Sequence, residues 1–341
     1  LNRPLWQKRL ISAGKFALAA GLLTYLALTG RLEFSRLASI AFDRRLAILV
    51  LLLAGSMVLP TVRWWWLLRI QHLREPIARI VSLTWAGYIA ALVLPGAAGG
   101  DLARSYLILR RHRQTRARAF STVLADRFLG IHSLFCLGSL SAFWLLVNGE
   151  SSPAVNTMAL ITLAPLVLMT AGLVALLATP SRNTLFRILP RSWQVAWDES
   201  FLLYRNSIPG LVGCFGLSMA GAVMTAASFV VAGQMLGNGA PWTDSFLAGP
   251  LVVAANCLPF TPGGIGVAEA VSSKLFSGLG SSTGAEIMLL LRTVIFVLSL
   301  PGILAIGRIL HSPAAEQNNN ADFHKFETVG AERAAAPTTI G

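Results

Sequence analysis

A Leu-Pro pair followed at a fixed distance by a Gly-Gly pair occurs twice in this chain, each time at the end of an apolar run. The segments are Leu94-Pro95-Gly96-Ala97-Ala98-Gly99-Gly100-Asp101 and Leu258-Pro259-Phe260-Thr261-Pro262-Gly263-Gly264. Proline removes a donor from the helical ladder and glycine permits a tight reversal, so each segment breaks a helix. One constant offset superposes the two. A carboxylate follows each break, Asp101 or Glu269, and an arginine interrupts the next apolar run, Arg127 or Arg292. Duplicated breaks combined with charges inside apolar runs point to a transport site in a membrane protein.

Composition agrees with a membrane setting: 55% of the residues are hydrophobic and 13% are charged. A span needs roughly 20 apolar residues. Runs at 13–28, 46–68, 119–147, 154–178, 208–236 and 285–309 approach or exceed that length. The first has no small-residue cleavage site and reads as a retained helix rather than a leader. A net charge of +13 records topology, since Lys and Arg collect in cytoplasmic loops, so no nucleic-acid partner is expected. Cys136, Cys214 and Cys257 lie in apolar segments at no metal-ligand spacing; they read as small buried hydrophobes, with no metal and no cofactor implied.

Loop charges assign the faces. The loop 104–118 has six arginines and no acid, which places it in the cytoplasm. Loops 148–153 and 237–244 lack basic residues and fall outside, while 179–207 returns inside. Both termini are then cytoplasmic. The loop 30–45 resists this alternation, with four arginines on the expected outer side. Basic loops flank the first break on both sides, so its run dips into the membrane and comes back. The second break, within 245–274, has charge-poor flanks and dips from the opposite face. Three crossings separate the dips, which makes the halves 10–147 and 154–310 an inverted repeat; a full crossing by each broken segment would instead make a parallel one. The expected fold is an all-α polytopic membrane protein: about six full transmembrane helices and two re-entrant broken-helix hairpins in a single domain, 1–310. An amphipathic helix at 182–206 lies in the cytoplasmic interface, and a polar tail, 311–341, is disordered.

An arginine near a helix centre costs roughly 2.5–3.5 kcal/mol on insertion scales, so Arg127 and Arg292 need partners. Asp101 and Glu269 are the natural ones. The half-helix restarting after a break also points free N–H groups at whatever lies there and favours an anion. Two readings stay open: salt bridges that lock the hairpins, or arginines that meet a lipid phosphate in a polar cavity. Arg104, beyond the first break, and Asn256, before the second, complete the candidate substrate-binding set. The break residues are Pro95, Gly99, Gly100, Pro259, Gly263 and Gly264. Asp126 points about 100° away from Arg127 on a helix and serves another contact. Arg63, beside Trp64-Trp65-Trp66, reads as an interfacial anchor.

The stretch from Leu94 to Arg104, with Ala125-Asp126-Arg127-Phe128-Leu129-Gly130, resembles the first signature of the flippase-like family that shares the transmembrane region of lysylphosphatidylglycerol synthases. Leu258-Pro259, Pro262-Gly263-Gly264-Ile265-Gly266-Val267-Ala268-Glu269-Ala270 and Arg292 match the second. The resemblance implies a multi-pass protein of a bacterial or archaeal inner membrane, related to lipid flippases. Synthases of this kind add a soluble aminoacyl-transfer domain; this chain ends in a short polar tail, so the expectation is the translocation half alone and no enzyme activity. The leading function is movement of a phosphate-bearing lipid, aminoacyl- or polyprenyl-linked species included, across the cytoplasmic membrane. An alternative is a membrane enzyme or accessory factor of lipid-linked glycan or lipid modification. A third is a scaffold acting through the basic loop 104–118.

Overall fold

The computed structural model describes residues 43–93, 98–178, 200–237, 241–258, 261 and 264–310. The expected first span at 13–28, most of 182–206, the tail 311–341, and Pro95, Pro259 and Gly263 lie outside the described residues. Every regular element described is helical. In chain order they are α1 (Arg45–Ile70), α2 (Ile77–Val93), α3 (Ala98–Arg111), α4 (Arg116–Val147), α5 (Pro153–Ala178), α6 (Ile208–Met235), α7 (Trp242–Asn256), α8 (Val267–Gly278), α9 (Gly284–Ser299) and α10 (Pro301–Leu310). Five stretches among the described residues are long and apolar enough to cross a membrane: α1, α4, α5, α6 and the α9–α10 stretch Gly284–Ile306. The protein is thus an all-α, multi-pass membrane protein.

Helix ends are set locally. At the start of α1 the Asp43 carboxylate accepts the Arg45 backbone N–H at 2.8 Å, satisfying a donor that the helix leaves open. The helix runs through Pro60 and stops at a left-handed His72, φ 56°, where Leu73 N–H reaches back to the Leu68 carbonyl at 2.9 Å. In α8, Glu269 turns back to accept the Gly266 N–H at 2.7 Å, half of a capping box.

The two broken segments each give a pair of short helices, of 17 and 14 residues and of 15 and 12, all below the roughly 20 residues of a full span. Helices α2 and α3 fold back on each other. A Cβ on Gly87 would lie 3.1 Å from the Gly100 carbonyl oxygen, and one on Gly100 would collide with the Gly87 carbonyl. Only glycine at 100 allows this approach. Gly99 and Gly100 belong to the first turn of α3 rather than to a break, and Gly100 serves the packing against Gly87. In the second pair, Leu275 of α8 and Leu279 just beyond its end pack on the cluster that holds Leu247 and Leu251 of α7.

Each pair has its own core. Around the first, Trp64, Leu68, Ile80, Leu83, Ile108, Ala119 and Val123 bring together α1, α2, α3 and α4. Around the second, Leu49, Leu53, Phe229, Val252, Ala268, Phe276 and Leu291 join α1, α6, α7, α8 and α9. Helix α1 runs through both. Between helices in lipid, close packing of small residues replaces dehydration as the driving force; Gly138 of α4 against Thr162 of α5 is one such contact. Helix α10 closes onto α2, where a Cβ on Gly302 would collide with the Trp85 carbonyl. The end of α9 is held there too, Trp85 Nε1 donating to the Leu298 carbonyl at 3.1 Å.

Candidate functional site

Asp101 is in the first turn of α3, where the helix dipole favours a carboxylate. Arg104 follows one turn later, and α4 passes alongside with Asp126 and Arg127. Helix α1 contributes Arg63. The five side chains alternate in sign. Arg63 Nη1 donates to Ser218 Oγ at 2.8 Å, and Arg63 Nε to Asp126 Oδ1 at 2.7 Å. Arg104 Nη2 reaches both Asp126 Oδ2 and Asp101 Oδ1 at 2.7 Å. Arg127 Nη2 pairs with the other Asp101 oxygen. The inner end is shielded from outside solvent, with Arg63, Arg104 and Asp126 all buried. The outer end is not: the Arg127 side chain is 33% exposed. Three guanidinium groups against two carboxylates leave the cluster one positive charge in formal count.

All five residues line a cavity of ≈290 Å3 walled by α1, α2, α3, α4, α6 and α7. Asn256, at the end of α7, lines it as well, so both broken segments reach it. Arg127 Nη1 lies 3.8 Å from Cys257 Sγ across the gap. Thr84 Oγ1 and Asn256 Oδ1, both at the cavity, have no hydrogen-bond partner within the protein. Pro60 adds an acceptor, since it has no N–H to give the Ser56 carbonyl one turn earlier, and both residues line the cavity. A buried polar group without a partner is costly, so these acceptors suit a polar guest that brings hydrogen-bond donors, while the guanidinium excess favours an anionic group on it. Among the described residues no group of His, Cys, Asp or Glu could hold a metal ion.

The sequence model of the lysylphosphatidylglycerol synthase transmembrane region matches residues 12–302. The chain belongs to that family. No curated protein matches it.

In this member of the lysylphosphatidylglycerol synthase transmembrane family the second charge pair has a different setting. Arg292 Nε meets Glu269 Oε1 at 2.5 Å, and Arg292 Nη2 donates to the Gly264 carbonyl at 3.2 Å. With the Gly266 contact, the pair ties α9 to the turn and to the start of α8. Neither residue lines the cavity. Of the six candidate substrate-binding residues, the fold therefore brings Asp101, Arg104, Arg127 and Asn256 together and leaves Glu269 and Arg292 apart. Gly264, at φ 68°, sits against the Asn256 amide where a Cβ would collide.

Arg63 is not an interfacial anchor. It is 5% exposed because α1 passes between α4 and α6, with Asp126 on one side and Ser218 on the other. Asp126 does serve a contact other than Arg127; it bridges Arg63 and Arg104. Sequence reasoning missed Thr84, Tyr88 and Ser218 as lining residues, and nothing sets those residue types apart in an apolar helix. Arg63 did carry a signal, a lone charge inside a run long enough to span.

Proposed function

We propose that this protein is a lipid translocase of the bacterial cytoplasmic membrane, and that an anionic lipid headgroup occupies the cavity with its phosphate on Arg127. The observation that carries this reading is a net-positive, partly unsatisfied polar cavity enclosed by apolar helices. In a low-dielectric interior an anion there gains strongly from an extra guanidinium, and Arg–phosphate pairing is bidentate. Ligand pockets of drug-sized molecules run from about 300 Å3 upward, so ≈290 Å3 accommodates a headgroup and leaves the acyl chains in the bilayer. The two fold-back helix pairs act as re-entrant hairpins from opposing leaflets, an inverted repeat whose rocking exposes the cavity to each face in turn. No covalent step is part of this reading.

Reconstitution tests it directly. Vesicles containing the protein and a headgroup-labelled anionic phospholipid should equilibrate label between leaflets. Arg127→Ala should lower the rate at least tenfold with the protein still inserted and folded, because this side chain is the exposed end of the cluster. Wild-type rates in that variant would reject the role, and a chemically altered lipid would support the membrane-enzyme alternative.

A further inference from the structure

The turn from α1 to α2 carries a second feature, separate from the cavity. A cleft of ≈540 Å3 is lined by Arg69, His72, Arg74, Glu75 and Pro76. Beside it lies an apolar groove of ≈420 Å3 lined by Trp65, Trp66, Arg69 and Ile70. Arg69 borders both, its guanidinium 4.2 Å above the centre of the Trp65 ring. We propose that cleft and groove together dock one anionic phospholipid, the headgroup phosphate on Arg69 and Arg74 and an acyl chain along Trp66 and Ile70.

Charge supports this occupant. Arg69, His72 and Arg74 are exposed, and the acid in the cleft is already engaged. Glu75 Oε1 accepts from Arg111 Nε at 2.7 Å and meets His112 Nε2 at 2.9 Å, while Oε2 lies 3.8 Å from Arg79 Nη1. The carboxylate therefore shapes the cleft without repelling an anion. His72 holds φ 56° at a helix-terminating position that usually takes glycine. Strained backbone of this kind persists where the surroundings over-determine it, often at a binding position. The shared Arg69 selects an amphiphile over a free anion, because a soluble phosphate would leave the groove unused. An exposed Trp66 beside a half-buried Trp65 matches the indole belts of membrane interfaces. Arg69 is six residues beyond Arg63 on α1, about 9 Å along the axis, and none of the cleft residues lines the cavity. The docking site stands whether or not lipid crosses through the cavity.

The test is a lipid titration of the full chain in mild detergent, read by native mass spectrometry. It is run in an Arg127→Ala background, which keeps the cavity's own anion site out of the signal. Long-chain phosphatidylglycerol should bind in preference to phosphatidylcholine. Each interfacial arginine adds several-fold to anionic-lipid affinity, so Arg69→Gln with Arg74→Gln should weaken binding roughly thirtyfold. Arg110→Gln, an exposed arginine outside the cleft, should leave it unchanged. An equal loss with Arg110→Gln, or equal binding of the two lipids, would reduce the effect to diffuse charge or none and overturn the proposal. Competition by glycerol phosphate or inorganic phosphate at the same concentration would assign the cleft to a free anion instead.

Discussion

Asp126 is the residue whose charge has the most depending on it, since it is buried between Arg63 and Arg104. Removing one partner of a buried ion pair leaves the others uncompensated, at about 3–5 kcal/mol. Asp126→Asn should therefore lower the unfolding midpoint sharply in detergent, whereas Arg127→Ala, at the open end, should shift it little. Equal midpoints for the two variants would contradict the depth ordering of the cluster. Outside the spans, Glu75 makes a pH prediction. Burial alone would raise its pKa, but the hydrogen bond with His112 and the guanidinium of Arg111 outweigh burial and hold it below the ordinary 4.5. A depressed carboxylate contributes stability that is fully present above 4.5 and is lost as pH falls through the lower folded value. Stability measured from neutral pH downward should show no Glu75 step until about pH 4.5. A declining step should follow, and Glu75→Gln should remove it.

Among the helices, the turn between α7 and α8 tolerates substitution poorly. Gly264→Ala combines a positive φ with a collision against Asn256, so it should destabilise by about 1–3 kcal/mol and move Asn256 off the cavity. Gly216 in α6 is the internal contrast. A Cβ there meets nothing within 4 Å, and alanine in a helix interior is favoured over glycine by up to about 1 kcal/mol. Thermal unfolding of the two variants should shift in opposite directions. The tight α2–α3 contact has the same logic: both backbones approach at Gly87 and Gly100 because neither carries a side chain.

For the whole molecule, the arrangement of six helices around one polar cavity predicts a pattern of thiol reactivity. Cys257 lines the cavity, Cys214 is fully buried between helices, and Cys136 is half-buried away from the cavity lining. A small anionic thiol reagent should modify Cys257 well ahead of Cys214, and an anionic lipid headgroup bound beside Arg127 should slow it. Peptide mass mapping of the folded protein reads both effects. Cys214 labelling at the Cys257 rate would mean that the bundle is not closed as described.

Much of this was legible before any coordinates. Apolar run lengths located the five described spans, because a helix must cover the bilayer thickness. The pairings of Asp101 with Arg127 and of Glu269 with Arg292 followed from each carboxylate's place after a break, which sets a depth comparable to that of the arginine. Hydropathy says nothing about the rotation of one helix against another, and that is where sequence reading stopped. Arg63 and Asp126 are 63 residues apart, and the small residues at the helix contacts decide that they face each other. The same packing separates the two equivalent pairs, tying Glu269 and Arg292 to the turn before α8 and opening Asp101 and Arg127 to the cavity. Depth and breaks are written along the chain; azimuth belongs to the packed bundle, because only neighbouring helices can set it.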